Sequence, residues 1–131
     1  MKLIVDATVA LAASATPVGF ERFRGFELHA PALLWIEATS AVHAMRWRGD
    51  VDKVHAELMR DRILDARIRE IHDHALTVEA WQLADEFGWA KIYDAHYVSL
   101  ARRLGCRVMT LDARLRRGAA RLGFVVGPTE L

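Results

Sequence analysis

The chain opens on Leu3-Ile4-Val5, three apolar residues that run straight into Asp6, Ala7 and Thr8. A run this short and this apolar reads as a strand buried on both faces, the habit of a parallel sheet. Its carboxyl end is where open α/β sheets place their ligands. A carboxylate there is costly to desolvate unless something pairs with it. Two readings of Asp6 follow: it caps the helix that begins just after it, or it faces a cation. The pattern returns near the other end of the chain. Arg107-Val-Met-Thr110-Leu-Asp112 is again a short apolar strand that closes on a hydroxyl and an acid.

Between these two strands the periodicity switches repeatedly from two to 3.6. A helix is expected from Thr8 to the break at Thr16-Pro17, then a short amphipathic helix over Val18–Phe26 carrying Phe20, Phe23 and Phe26 on one side. Glu27–Ala30 reads as a strand. Ala32–Arg48 reads as a helix with Leu34, Ala38, Ala41 and Met45 inward and Gly49 at its end. Asp50 and Asp52 open a helix to about Leu64, and Arg67–His72 alternates like a strand. Thr77 heads a helix to Phe87, with Val78, Trp81, Leu83, Ala84 and Phe87 core-like. Ile92–Leu104 is a helix closed by Gly105, Ala113–Leu122 a basic helix, and Phe124–Val126 a last strand. The expected fold is α/β: a single three-layer domain over residues 1–131, with a mostly parallel sheet of four to five strands flanked by helices.

Composition bounds the function classes. At 131 residues and 53% hydrophobic, the chain can bury the core of one domain. No apolar run is long enough to span a membrane, and the opening run is too short for a signal peptide. The single cysteine, Cys106, excludes an internal disulfide and a zinc cluster. These features predict a cytoplasmic protein. The net charge of +1 hides an asymmetry: all seven basic residues from 101 onward are arginines, against the two acids Asp112 and Glu130. Arginine suits phosphate, so a polyanion is weighed against a plain solvated helix face.

Two further acids stand out. Glu37 lies among Leu33, Leu34, Trp35, Ile36 and Ala38, and Asp94 lies in the first turn of its helix. There the free N–H groups stabilise an anion. In a doubly wound sheet, strand ends and helix N-termini meet along one edge. Four carboxylates gathered there repel one another and need a counter-charge. The simplest is a divalent cation with a taste for hard oxygen, Mg²⁺ or Mn²⁺. His96, two residues from Asp94, points elsewhere on a helix and is expected at the surface or toward a partner. Trp35, Trp47, Trp81 and Trp89 are able to stack on bases, but packing is their expected use.

At this point the sequence resembles a known family. Ile4-Val-Asp6-Ala-Thr8-Val, Glu37 within Leu-Leu-Trp-Ile-Glu-Ala-Thr, Tyr93-Asp94-Ala-His-Tyr-Val-Ser-Leu-Ala101 and Thr110-Leu-Asp112-Ala-Arg-Leu are similar to the PIN domain, and most of all to the VapC-type toxins of bacterial toxin–antitoxin pairs. The resemblance runs the length of the chain. It implies a ribonuclease dependent on one or two Mg²⁺ or Mn²⁺ ions, leaving 5′-phosphate and 3′-hydroxyl ends. It also implies a small cognate antitoxin of the VapB type and a homodimer that brings two active sites close. Asp6, Glu37, Asp94 and Asp112 match the family's acids, with Asp6 and Asp94 the principal metal ligands. Thr8 would cap the helix or hold a metal-bound water, and Thr110 would orient Asp112. Arg114, Arg116 and Arg117 would meet the RNA. Ala90-Lys91-Ile92 stands where the family often has a small or hydroxyl residue, which puts the local helix cap in question.

Two other readings compete. One is a PIN-like module that binds RNA or protein with little catalysis. The other is a haloacid-dehalogenase-type phosphatase, whose nucleophile also ends a first strand. That chemistry wants a lysine near the acids, and neither Lys53 nor Lys91 has the right sequence context.

Overall fold

Short apolar strands alternating with helices build a parallel sheet covered on both faces. The computed structural model describes all 131 residues. In chain order the elements are β1 (Lys2–Val5), α1 (Ala7–Ser14), β2 (Glu27–Pro31), α2 (Leu33–Trp47), α3 (Lys53–Asp65), β3 (Ile68–Ile71), α4 (His74–Phe87), α5 (Tyr93–Leu104), β4 (Arg107–Met109), α6 (Ala113–Gly118) and β5 (Val125–Val126). The strand order is β3-β2-β1-β4-β5 and every neighbouring pair is parallel. The sheet therefore has five strands and is wholly parallel.

The topology fixes where a site can form. The chain moves outward from β1 to β2 and β3, then returns to lay β4 on the other side of β1. Right-handed crossovers put the two sets of helices on opposite faces. Helices α1, α2 and α3 pack on one another, while α4 packs on α5 and α5 lies across β1, β2 and β4. The direction of winding thus reverses between β1 and β4, the crevice that open α/β sheets use for ligands. Val5 pairs with Met109, so the next residues, Asp6 and Thr110, leave the sheet side by side. Leu3, Ile4, Val5, Val108 and Met109 are buried beneath them in the main core. A second apolar cluster joins Leu83 and Ala84 of α4 and Val98 of α5 to Leu115 of α6, and holds α6 against the domain.

Several local expectations are corrected. Helix α4 begins at His74, not Thr77, because the Asp73 side chain accepts the Leu76 N–H at 2.7 Å and starts the helix three residues earlier. The inward face then runs Leu76, Ala80, Leu83 and Ala84, spaced as one helical stripe. Val78 and Trp81 fall outside it, 57% and 60% exposed. Val18–Phe26 forms only a 3₁₀ turn over Gly19–Phe23, too short between Pro17 and Gly25 to nucleate an α-helix. Only Phe23 of its three aromatics is fully buried. In α2 the buried stripe is Leu34, Ala38 and Val42, with Ala41 and Met45 at its margin. The basic helix stops at Gly118 and continues as a 3₁₀ turn over Ala120–Leu122.

Candidate active site

The site is assembled around Asp6, which caps a helix and lines an open cavity. It is the N-cap of α1: its Oδ1 accepts the Val9 N–H at 3.1 Å and the Thr8 hydroxyl at 2.6 Å. The Thr110 hydroxyl donates a short hydrogen bond to its Oδ2. Each threonine is bonded again from behind. Thr8 Oγ1 accepts the Leu111 N–H and Thr110 Oγ1 accepts the Asp112 N–H, each at 3.0 Å. Two hydroxyls therefore tie the end of β1 to the end of β4 and aim their protons at one carboxylate. Thr110 orients Asp6 through its hydroxyl, and it touches Asp112 only at the backbone. Asp6 is 3% exposed. Burial pushes its carboxyl above the usual carboxylate range, opposed by the bonds from Thr110, Thr8 and Val9 and reinforced by Asp94.

The other three acids approach from separate elements. Glu37 projects from α2, where Tyr97 of α5 donates its hydroxyl to Oε1 at 2.6 Å. Its carboxyl is raised by burial, against the Tyr97 bond, with Asp94 and Asp6 adding repulsion. Asp94, in the first turn of α5, has a carboxyl raised by desolvation and then by Asp112, with Arg114 opposing. Asp112 caps α6, its Oδ1 accepting the Arg114 N–H at 2.9 Å and the Leu115 N–H at 3.4 Å. All four acids and Thr8 line one open cavity of about 650 Å³. Its walls also carry Trp89, Lys91, Tyr93, Tyr97 and Arg114.

Three of these carboxyls are raised first by burial and then by neighbouring acids, so the site favours an added positive charge. The donors are all hard oxygens, which suits Mg²⁺ or Mn²⁺ over softer ions. No three His, Cys, Asp or Glu side chains converge closely enough to hold an ion among themselves. Magnesium is commonly held by one or two carboxylates, with waters and substrate completing its shell, so an open arrangement of this donor set fits it.

The arginines divide. Arg114 reaches the cavity, with Nε 3.9 Å from Asp112 Oδ1. Arg116 and Arg117 instead line a separate hollow beside Gly123 and Val125, and Arg116 is paired with Glu130. Arg102 is paired with Glu86, Arg103 with Asp73 and Glu79, and Arg121 lies over the Phe87 ring. Most of the C-terminal positive charge is thus committed within the molecule. His96 does not line the cavity, though its charge favours the ionised Glu37: it hydrogen-bonds with the Ile92 carbonyl and Thr77, joining α5 to α4. The doubt over the start of α5 is answered by Ile92, an N-cap with no side-chain bond. Lys91, Tyr93 and Tyr97 were not anticipated at the site. Only Tyr97 left a trace in the sequence, standing one helical turn after Asp94 and so on its side of α5.

The PIN domain family profile matches residues 3–121, and the chain belongs to that family. The phosphatase alternative falls with that assignment. Solved structures share the fold at low identity. PAE2754 from Pyrobaculum aerophilum superposes with a TM-score of 0.77 at 24% identity, covering 97% of this chain and 89% of that one. A toxin–antitoxin complex from Klebsiella pneumoniae gives 0.69 at 16% identity, over 98% of this chain and 99% of that one. FitAcB from Neisseria gonorrhoeae gives 0.62 at 14%, over 98% and 99%. No curated protein matches the sequence. No helix is long and apolar enough to cross a membrane.

Proposed function

We propose that this PIN domain is a metal-dependent endoribonuclease, the toxin of a VapC-type pair, held inactive by a small VapB-type antitoxin. The observation that carries the reading is the cavity at the β1–β4 switch point, lined by Asp6, Glu37, Asp94 and Asp112. Fold likeness to a toxin–antitoxin complex supports the choice of biological setting. Under this reading Asp6 and Asp94 are the principal ligands of Mg²⁺ or Mn²⁺, and Glu37 and Asp112 assist directly or through water or hold a second ion. A divalent cation held there supplies polarisation of an RNA phosphodiester and a lowered pKa for the attacking water.

The chain's own groups do the rest. Thr8 and Thr110 each hold one oxygen of Asp6 and so fix its rotamer. Tyr97 does the same for Glu37. Arg114 stands at the mouth, where a guanidinium can meet a phosphate. Cytoplasmic location and a homodimer complete the proposal. Ile36 and Trp47 of α2 and Val54 and Leu58 of α3 are exposed and available for packing against a second copy or the antitoxin.

The test is cleavage of end-labelled total RNA by the purified protein with Mg²⁺ or Mn²⁺, with EDTA, and with the Asp94→Asn variant alongside. Discrete cuts that vanish in EDTA and in the variant are expected. RNA left intact under every condition, or cuts that persist in the variant, would sink the nuclease reading and favour the binding module.

A further inference from the structure

One wall of the cavity has a chemistry unlike the acids. The connection between α4 and α5 contributes Gly88, Trp89, Ala90, Lys91 and, at its end, Tyr93. Gly88 ends α4 at φ 71°, and the Trp89 N–H returns to the Ala84 carbonyl at 2.8 Å. That closure sends the connection off in a fixed direction. The Trp89 ring is held by Phe87, with centroids 5.2 Å apart, and lies close over Gly118. Trp89 is therefore an anchor. Lys91 and Tyr93 are what the anchor presents. Both are exposed at the rim, Tyr93 by 54%. Of the chain's three lysines, only Lys53 enters an ion pair, with Glu57. The cavity's other cation, Arg114, already leans toward Asp112.

We infer that Lys91 and Tyr93 form a seat for one nucleotide of single-stranded RNA, Lys91 on a phosphate and the Tyr93 ring against a base next to the bond to be cut. The inference rests on the nuclease reading of the cavity and names its substrate as unpaired RNA. Four carboxylates repel a phosphodiester backbone, so the strand needs cations at the rim. Lys91 and Arg114 are the cations that line the cavity, and Lys91 is the one with no acid beside it. An exposed aromatic ring alone is ordinary. A ring two residues from a free ammonium, at the mouth of a cavity, is the pairing that single-strand binders use, stacking for the base and charge for the backbone. Base pairs within a duplex offer no free face to Tyr93, so the seat discriminates against double-stranded RNA.

The test compares wild type with Tyr93→Ala, Tyr93→Phe, Lys91→Ala and Lys91→Arg. Steady-state cleavage of a short labelled strand gives KM and kcat. Fluorescence anisotropy with the same strand and with its duplex, across a salt series, gives affinity. Tyr93→Ala should raise KM and weaken single-strand binding about tenfold, while Tyr93→Phe keeps wild-type binding because the ring and not the hydroxyl is used. Lys91→Ala should weaken binding several-fold and flatten the salt dependence by about 0.7 in the log–log slope, one phosphate contact on a single strand. Lys91→Arg should restore it. Wild-type cleavage with KM unmoved by Tyr93→Ala and Lys91→Ala overturns the seat and leaves the nuclease reading standing. Duplex bound as tightly as single strand also overturns it. Absence of wild-type cleavage strikes the nuclease reading instead. In that case anisotropy still decides: single-strand binding weakened by Tyr93→Ala upholds the seat, and binding that is absent or unchanged overturns it.

Discussion

Asp6 and Asp73 do the same local job in opposite surroundings. Each is the N-cap of a helix, and each accepts the backbone N–H three residues on. Asp6 sits in the crevice between β1 and β4, where burial drives its carboxyl up and its partners are two neutral hydroxyls. Asp73 sits at the surface, where Arg103 grips both its oxygens at 2.7 and 3.1 Å and draws its pKa down to about 2. A cap needs only an oxygen acceptor, and Asp52 and Asp112 supply one in the same way. What separates the four is what lies beyond the cap. Asp6, at the switch point, meets other acids brought in by separate elements, whereas Asp73, at a surface helix start, finds a cation on the next helix. Charge held against its own preference belongs to the cavity, and charge satisfied in place belongs to the scaffold.

Replacing Asp6 by Asn is the strongest way to break the comparison, because Asn caps a helix as well as Asp does. Under the proposed ligand role of Asp6, cleavage should fall by more than about a hundredfold, beyond the tenfold to hundredfold loss typical of residues behind a ligand. Stability should move the other way. A carboxyl whose folded pKa is raised stabilises the fold below its unfolded pKa and loses that contribution as pH rises through the folded value. At pH 7.5 without metal, Asp6→Asn should therefore melt higher than wild type, and the advantage should vanish in acid. Thermal melts at the two pH values check this. A melting temperature lowered by the substitution at pH 7.5 would show that Asp6 is a structural anion like Asp73.

Thr110→Val comes next. It keeps the shape of a buried side chain and removes the proton aimed at Asp6 Oδ2. The expected loss is about 2 kcal/mol of stability, as for a hydrogen bond to a charged group. Activity should fall roughly ten- to a hundredfold. Loss of stability with cleavage intact would mean that the hydroxyl braces β4 and does not orient the acid.

Added Mn²⁺ sharpens the comparison from the other side. It should raise the melting temperature of wild type, and more at pH 7.5 than at pH 5. The raised carboxyls of Asp6, Glu37 and Asp94 hold protons longer on the way up in pH, and those protons compete with the ion. The same addition to Asp6→Asn should give a smaller shift. Equal shifts at both pH values would mean that the ion binds elsewhere.

The sequence made the centre of this site readable and its rim unreadable, for a physical reason. Leu3-Ile4-Val5-Asp6 and the strand ending at Asp112 are local patterns, and strand pairing in a parallel sheet brings their ends together without further information. Glu37 stood out because an acid amid Leu34, Trp35, Ile36 and Ala38 is costly unless it is used. Lys91 and Tyr93 carry no such local strain, and their place at the cavity depends on the direction in which Gly88 releases the chain. The arginines misled for the converse reason. Arg116 pairs with Glu130 and Arg103 with Asp73 across distances in sequence that no short pattern spans. Val78 and Trp81 are apolar but lie across the helix from Leu83, so only the helical spacing, and not their residue type, tells that they face outward.

Asp73 itself gives the smallest of the expected effects and the cleanest contrast. Asp73→Asn keeps the cap on Leu76 and removes the charge that Arg103 grips. Cleavage should match wild type, because neither residue lines the cavity. A carboxyl with a lowered folded pKa contributes stability above its unfolded value, near 4, and loses it as pH falls toward about 2. The variant should therefore melt slightly below wild type at neutral pH, with the gap closing between about pH 4 and pH 2. The Asp6→Asn gap has the opposite sign and closes in acid from above. A melt of Asp73→Asn indistinguishable from wild type at pH 7 would mean that screening leaves the Arg103 pair worth nothing, as many exposed ion pairs are. The scaffold role of Asp73 would then rest on its cap alone.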